Sequence, residues 1–155
     1  MAYYLLDNNH IQAIFDRSSA AIQRLNSLNG WDSYGTSVII LGEIHAGHGM
    51  TVSTNPTRRA EYEEFIEKEF VPNATPITET TRFYYGEIME SLWKQQPPRA
   101  SKTTTDEHLV SLGININDVW IAASSVEHNF VLVTQDRMQS IRDAVGDRLG
   151  FDCWI

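Results

Sequence analysis

Four carboxylates stand where the sequence changes character. Asp7 follows Tyr3-Tyr4-Leu5-Leu6, Glu43 follows Val38-Ile39-Ile40-Leu41-Gly42, and Asp136 follows Val131-Leu132-Val133-Thr134-Gln135. Each of these apolar runs reads as a strand that passes almost at once into a helical pattern, so each acid is expected at a strand–helix junction. The fourth, Asp118, opens the segment Asp118-Val119-Trp120-Ile121-Ala122-Ala123 and is expected in the first turn of a helix. In a parallel sheet the strand carboxyl ends share one edge, and helix N-termini face the same crevice. The four acids are therefore expected to converge.

An acid near a helix N-terminus gains about 0.3–1 kcal/mol from the dipole. Any one of the four, taken alone, reads as a cap or a solvated first-turn residue. Gathered, they repel and resist joint ionisation, which the dipole term does not offset. A hard divalent cation does offset it. Mg²⁺ or Mn²⁺ favours carboxylate oxygens and leaves octahedral positions for water and phosphate. Such a site polarises a phosphoryl oxygen and lowers the pKa of a water, and two metals clamp the attacking and leaving oxygens together. The chemistry expected of this set is hydrolysis of a phosphodiester, with Asp7, Glu43, Asp118 and Asp136 holding the metal.

The elements that must position these acids can be read from periodicity. Ile11, Ile14, Phe15, Ser18, Ile22 and Leu25 recur at helical spacing, with Asn8 or Asn9 as a cap and Asn29-Gly30 as the stop. Ser37–Leu41 is the second strand candidate, giving a strand–helix–strand unit. Helices follow over Arg59–Phe70 and Thr80–Gln95, separated by Val71-Pro72-Asn73 and a short strand candidate at Pro76-Ile77-Thr78. Arg99 to Glu107 is polar and reads as a mobile loop. A capped, buried helix begins at Asp118, a strand buried on both faces runs over Phe130–Thr134, a helix reaches about Asp147, and Phe151–Ile155 is the last strand. This alternation predicts an α/β fold, a three-layer domain whose mainly parallel central sheet is flanked by helices, in one domain over residues 1–155.

Composition narrows the function classes. The chain has 155 residues and a formal charge of −8, so duplex binding through a broad basic face is excluded as the main mode. Hydrophobic residues make up 42% and charged residues 21%, which is the balance of a folded globular chain and not a disordered one. The apolar runs are far short of the ~20 residues of a membrane span. The N-terminal segment lacks the basic and apolar regions of a signal peptide, so none is expected. Cys153 is the one cysteine and has no internal partner, and a cytoplasmic location is expected.

The segments around the acids resemble a known family. Tyr4-Leu5-Leu6-Asp7-Asn8-Asn9, Ile40-Leu41-Gly42-Glu43-Ile44, Asn117-Asp118-Val119-Trp120-Ile121-Ala122-Ala123 and Leu132-Val133-Thr134-Gln135-Asp136 resemble the four signature segments of the PIN-domain ribonucleases. The likeness is greatest to the VapC-type toxins of toxin–antitoxin pairs. Asp7, Glu43, Asp118 and Asp136 fall on the family's acidic positions, Asn9 on its frequent Asn and Thr134 on its hydroxyl position. Asn8 departs from the family's usual Thr. The resemblance implies a PIN-like fold and a Mg²⁺- or Mn²⁺-dependent endoribonuclease in which an activated water attacks phosphorus. It also implies a cognate VapB-like antitoxin, with tRNA or rRNA loops as substrates. Loops suit an acidic protein, because unpaired bases can be stacked and read without a basic face.

Other residues carry weaker readings. Asn9 and Thr134 are expected beside the metal ligands or in turns, and Arg137 either binds a substrate phosphate or is a surface charge. His45 and His48 share a helical face but sit among glycines with no third soft ligand, so no metal site is expected there. Trp120, Tyr84 and Tyr85 read as packing residues that could otherwise stack bases. A homodimer is expected, partly through the apolar stripe of the 80–95 helix. The antitoxin is expected to lay a segment along the acidic crevice and offer it an Arg or Lys. The rival readings are an inactive PIN scaffold that binds RNA or a partner, and a phosphoacceptor with Asp7 as nucleophile. The second is disfavoured because the signature segments hold no Lys.

Overall fold

The computed structural model describes residues 1–51 and 55–155. Four short strands, β1 (Tyr3–Leu6), β2 (Ser33–Gly35), β3 (Val131–Val133) and β4 (Gly150–Asp152), form one sheet in the order β2-β1-β3-β4. Every pairing is parallel, with Tyr4 opposite Tyr34 on one side and opposite Val131 on the other, and Leu132 opposite Phe151. The helices among the described residues are α1 (Asn8–Phe15), α2 (Ser19–Ser27), α3 (Val38–Met50), α4 (Pro56–Glu69), α5 (Thr81–Gln95), α6 (Thr105–Ser111), α7 (Ile116–His128) and α8 (Gln139–Val145). A helix-flanked parallel sheet is the architecture that the alternation of strands and helices predicts. None of these helices is long and apolar enough to cross a membrane by itself.

The two central strands are the most buried. Leu5, Leu6, Leu132 and Val133 are inaccessible to solvent, and Val119, Ala122 and Ala123 of α7 are equally buried in the same core. Two alanines in succession let that helix approach its neighbours closely, so dispersion contacts replace side-chain bulk. Ile88 and Leu92 of α5 are buried as well, and α5 packs along both α7 and α8. The stripe assigned above to a dimer contact is thus covered within the chain. Tyr85 stacks on Trp120 with ring centroids 4.0 Å apart, which makes both packing residues.

Several boundaries differ from expectation. Ser37–Leu41 is not a strand: Ser37 caps α3 by accepting the Ile40 N–H, and the run forms the first turns of the helix. Its burial is one-sided, with Val38 41% exposed and Ile40 1%, which suits an amphipathic helix and not a doubly covered strand. The second strand is instead Ser33–Gly35 at the sheet edge. Arg17, at φ 55°, breaks the expected first helix into α1 and α2. Pro76–Thr78 is not a strand; only Thr75 makes an isolated parallel bridge, to Ser37. The polar tract ends earlier than expected, because Thr104 and Glu107 form a reciprocal capping box that starts α6 at Thr105. After β3 the helix begins at Gln139, so Asp136 lies in a turn.

Candidate active site

At the carboxyl end of β1, Asp7 is the N-cap of α1. Its Oδ1 accepts the His10 backbone N–H at 3.0 Å and lies 2.6 Å from Nδ1 of the His10 ring. The Asp7 backbone N–H donates to the Val133 carbonyl at 3.1 Å, so the acid is tied to the end of β3. Thr134 continues that strand, buried, and its Oγ1 accepts the Asp136 N–H at 3.0 Å. This hydroxyl fixes the turn that presents Asp136 to solvent. Asn9 is exposed, as is Arg137, whose carbonyl takes a hydrogen bond from Arg142.

Asp118 is the third residue of α7. Asn115 caps the helix by accepting the Asp118 N–H, and Asp118 Oδ2 accepts the Asn115 N–H at 2.8 Å in return. Glu43 sits in the middle of α3, not at a strand–helix junction. Its partner is Asn117, whose Nδ2 donates to Oε1 of Glu43 at 2.8 Å and links α3 to α7. Burial pushes the Asp118 carboxyl above its usual pKa, the Asn115 N–H opposes the rise, and the charges of Glu43 and Asp136 add to it. Three of the four acids therefore share one field. Asp7 is tied by its backbone to the end of β3, two residues before the Gln135-Asp136 turn, and its neighbour Asn8 lines, with Glu43, a cavity of about 380 Å³. His48, Arg58 and Arg59 line the same cavity. His48 turns to Glu63 of α4 at 3.4 Å, so the His45/His48 pair forms no ligand set.

The acids are short of positive charge. Among the described residues, no Lys or Arg forms an ion pair with Asp7, Glu43, Asp118 or Asp136, and His10 is the basic side chain that touches one of them. The donor set is all hard oxygen. In Asp7, Glu43 and Asp118 the hydrogen bonds seen among the described residues engage one oxygen and leave the other. No group of three or more His, Cys, Asp or Glu side chains among the described residues is drawn close enough to hold an ion as it stands. Mg²⁺ does not require such a cage, since it keeps several waters and takes one or two carboxylates besides substrate phosphate. The residues present fit a hard divalent cation.

Two side chains at this edge were not singled out in the sequence. Asn117 stands beside Asp118 in the quoted Asn-Asp-Val-Trp segment, and His10 stands three residues after Asp7, the reach of an N-cap side chain. In both cases the spacing was visible, but the partner could be read only for His10.

The PIN domain family matches residues 4–144. No curated protein matches the chain. Among solved structures the chain is similar to VapBC2 from Rickettsia felis, bound to a DNA fragment from its promoter, at 20% identity over 99% of both chains with a TM-score of 0.66. It is similar to FitAcB from Neisseria gonorrhoeae at 21% identity over 96% of each chain, TM-score 0.66. It also resembles VapBC-1 from nontypeable Haemophilus influenzae at 23% identity, over 99% of this chain and 98% of that one, TM-score 0.65. At these identities the likeness is one of fold. The family match, by contrast, takes in every element that carries one of the four acids, and the chain belongs to the PIN domain family.

Proposed function

We propose that this protein is a metal-dependent endoribonuclease acting as the toxin of a VapBC-like toxin–antitoxin pair. The observation that carries the reading is Asp118, partly buried, with like charges from Glu43 and Asp136 on it and, among the described residues, no Lys or Arg paired to any of the three. Such a cluster is costly unless a cation belongs there. When bound, Mg²⁺ or Mn²⁺ supplies Lewis acidity at the phosphoryl oxygen and a lowered pKa for water.

The chain's own residues do the positioning. Asp7, Glu43 and Asp118 would hold the cation through the oxygens their hydrogen bonds leave, and Asp136, exposed in its turn, would act beside them or through water. Asn117 holds Glu43, the Asn115 cap holds Asp118, and Thr134 holds the Asp136 turn. Arg58 and Arg59, paired to Asp16 and Glu63, line the cavity that Glu43 also lines, and Arg137 follows Asp136, where a polyanionic substrate needs positive charge. No side chain serves as a covalent nucleophile, and the product expected is a 5′-phosphate on the downstream fragment. The VapBC neighbours support a VapB-like antitoxin as the partner; in this reading it offers an Arg or Lys to the acidic edge. Self-association, if it accompanies this role, uses surface other than Ile88 and Leu92; Phe83, 59% exposed on α5, is available.

The test is cleavage of total RNA by the purified protein with Mg²⁺ or Mn²⁺, with EDTA and Asp7→Asn as controls. Metal-dependent cleavage lost in Asp7→Asn supports the reading. RNA binding without cleavage under every metal condition would leave an inactive scaffold instead.

A further inference from the structure

His10 is completely buried, yet both of its ring nitrogens are engaged. Nε2 accepts the backbone N–H of Trp154 at 3.1 Å. A backbone amide can only donate, so Nε2 carries a lone pair there and the proton of the ring sits on Nδ1. Nδ1–H then donates to Oδ1 of Asp7 at 2.6 Å. The same Oδ1 accepts the His10 backbone N–H, so one carboxylate oxygen has two donors from a single residue. Trp154 is itself held: it is 3% exposed, and its indole Nε1 donates to Asp152 Oδ2, which also pairs with Arg24 at 3.0 Å. Asp152 ends β4, which pairs with β3.

We propose that His10 is a positioning residue for Asp7, with its tautomer set by the Trp154 amide, so that Oδ1 is occupied and Oδ2 is aimed at a divalent cation. The inference rests on the metal reading above. A ring locked at both nitrogens cannot rotate, and the carboxylate it holds loses little further freedom when the cation arrives. Partners of metal-ligating groups are typically worth about 10–100-fold in metal affinity. A histidine that merely fills the core would affect stability and leave the cation alone.

Two substitutions separate these roles. In His10→Asn the side-chain amide nitrogen lies as many bonds from Cβ as Nδ1 does, so it keeps a donor for Asp7 and loses the acceptor for Trp154. In His10→Gln the amide oxygen lies as far out as Nε2, so it keeps the acceptor for Trp154 and loses the donor for Asp7. Mn²⁺ titration of the RNA-free protein, followed by the electron paramagnetic resonance of free Mn²⁺, reads the affinity directly. Thermal melts in EDTA read the fold. His10→Gln is expected to bind Mn²⁺ about 10–100-fold more weakly, near Asp7→Asn, while His10→Asn stays close to wild type. Wild-type affinity in His10→Gln overturns the proposal, and so does an equal loss in both variants. ¹⁵N NMR of the wild-type imidazole stands independent of whether either variant folds: a protonated Nδ1 and a bare Nε2 are expected, and the other tautomer overturns the proposal. A wild type that binds Mn²⁺ but cuts no RNA would remove the nuclease reading and leave His10 to be judged by the titration. A wild type that binds no Mn²⁺ removes both.

Discussion

Asn117 and Glu43 lie 74 positions apart, and the Asn117 amide donates to Glu43 Oε1 at 2.8 Å. The bond explains how an acid in the middle of α3 is held next to one in the first turn of α7. Asn117→Ala is expected to free Glu43 and lower Mn²⁺ affinity and RNA cleavage about 10–100-fold. Asn117 is partly exposed and outside the core, so the melting temperature in EDTA should hardly change. Titration and melts of the same preparation check both statements.

The carboxylates themselves should behave as a unit. Asp7→Asn, Glu43→Gln and Asp118→Asn are each expected to lower cleavage about 100-fold or more with the fold retained, and a double variant should be little worse than the worse single one. Asp136→Asn is expected to cost less, because Asp136 is exposed. Initial rates on a defined RNA measure this, and full activity in any of the first three would sink the arrangement.

The raised pKa of Asp118 has a definite sign for stability. Between the usual Asp value and the raised one, the folded metal-free protein binds more protons than the unfolded chain. The contribution of Asp118 is therefore favourable in acid and is lost as pH rises through that window. Asp118→Asn still offers an oxygen to the Asn115 N–H, so it should melt higher than wild type in EDTA at neutral pH, by about 2–4 °C per kcal/mol relieved. The gap should close as pH falls below the usual Asp value. Mn²⁺ should stabilise the wild type by mass action and help Asp118→Asn much less. Melts over pH, with EDTA and with Mn²⁺, decide it.

Thr134 offers a more local test. Its buried hydroxyl accepts the Asp136 N–H, and Thr134→Val keeps the shape but removes the acceptor. The loss should cost about 1 kcal/mol, or about 2–4 °C. Thr134→Ser should recover most of it. Differential scanning calorimetry of the three proteins would show the order.

Much of this protein is determined locally. The runs around Leu5 and Leu132 are apolar on both faces, the pattern of inner strands, and they form the two central strands of the sheet. The Asn115–Asp118 and Thr104–Glu107 pairs start their helices with their own side chains. The Asn-Asp-Val-Trp and Leu-Val-Thr-Gln-Asp segments carry the family resemblance, and every one of the four acids is visible in them or in their counterparts. Val38-Ile39-Ile40-Leu41 could not be settled this way, because a short β-branched run suits a strand or a helix turn until it is known which faces are covered. Only the tertiary structure puts it in a helix, with Ser37 as cap and one face to solvent. The edge strand Ser33–Gly35 has no apolar pattern of its own and exists because β1 offers it a ladder. The two contacts that hold the candidate ligands in place, Asn117 to Glu43 and His10 to Trp154, join elements far apart in the chain. Hydrogen bonds of that kind depend on which helix faces meet and where the last strand docks, and neighbouring residues carry no record of either.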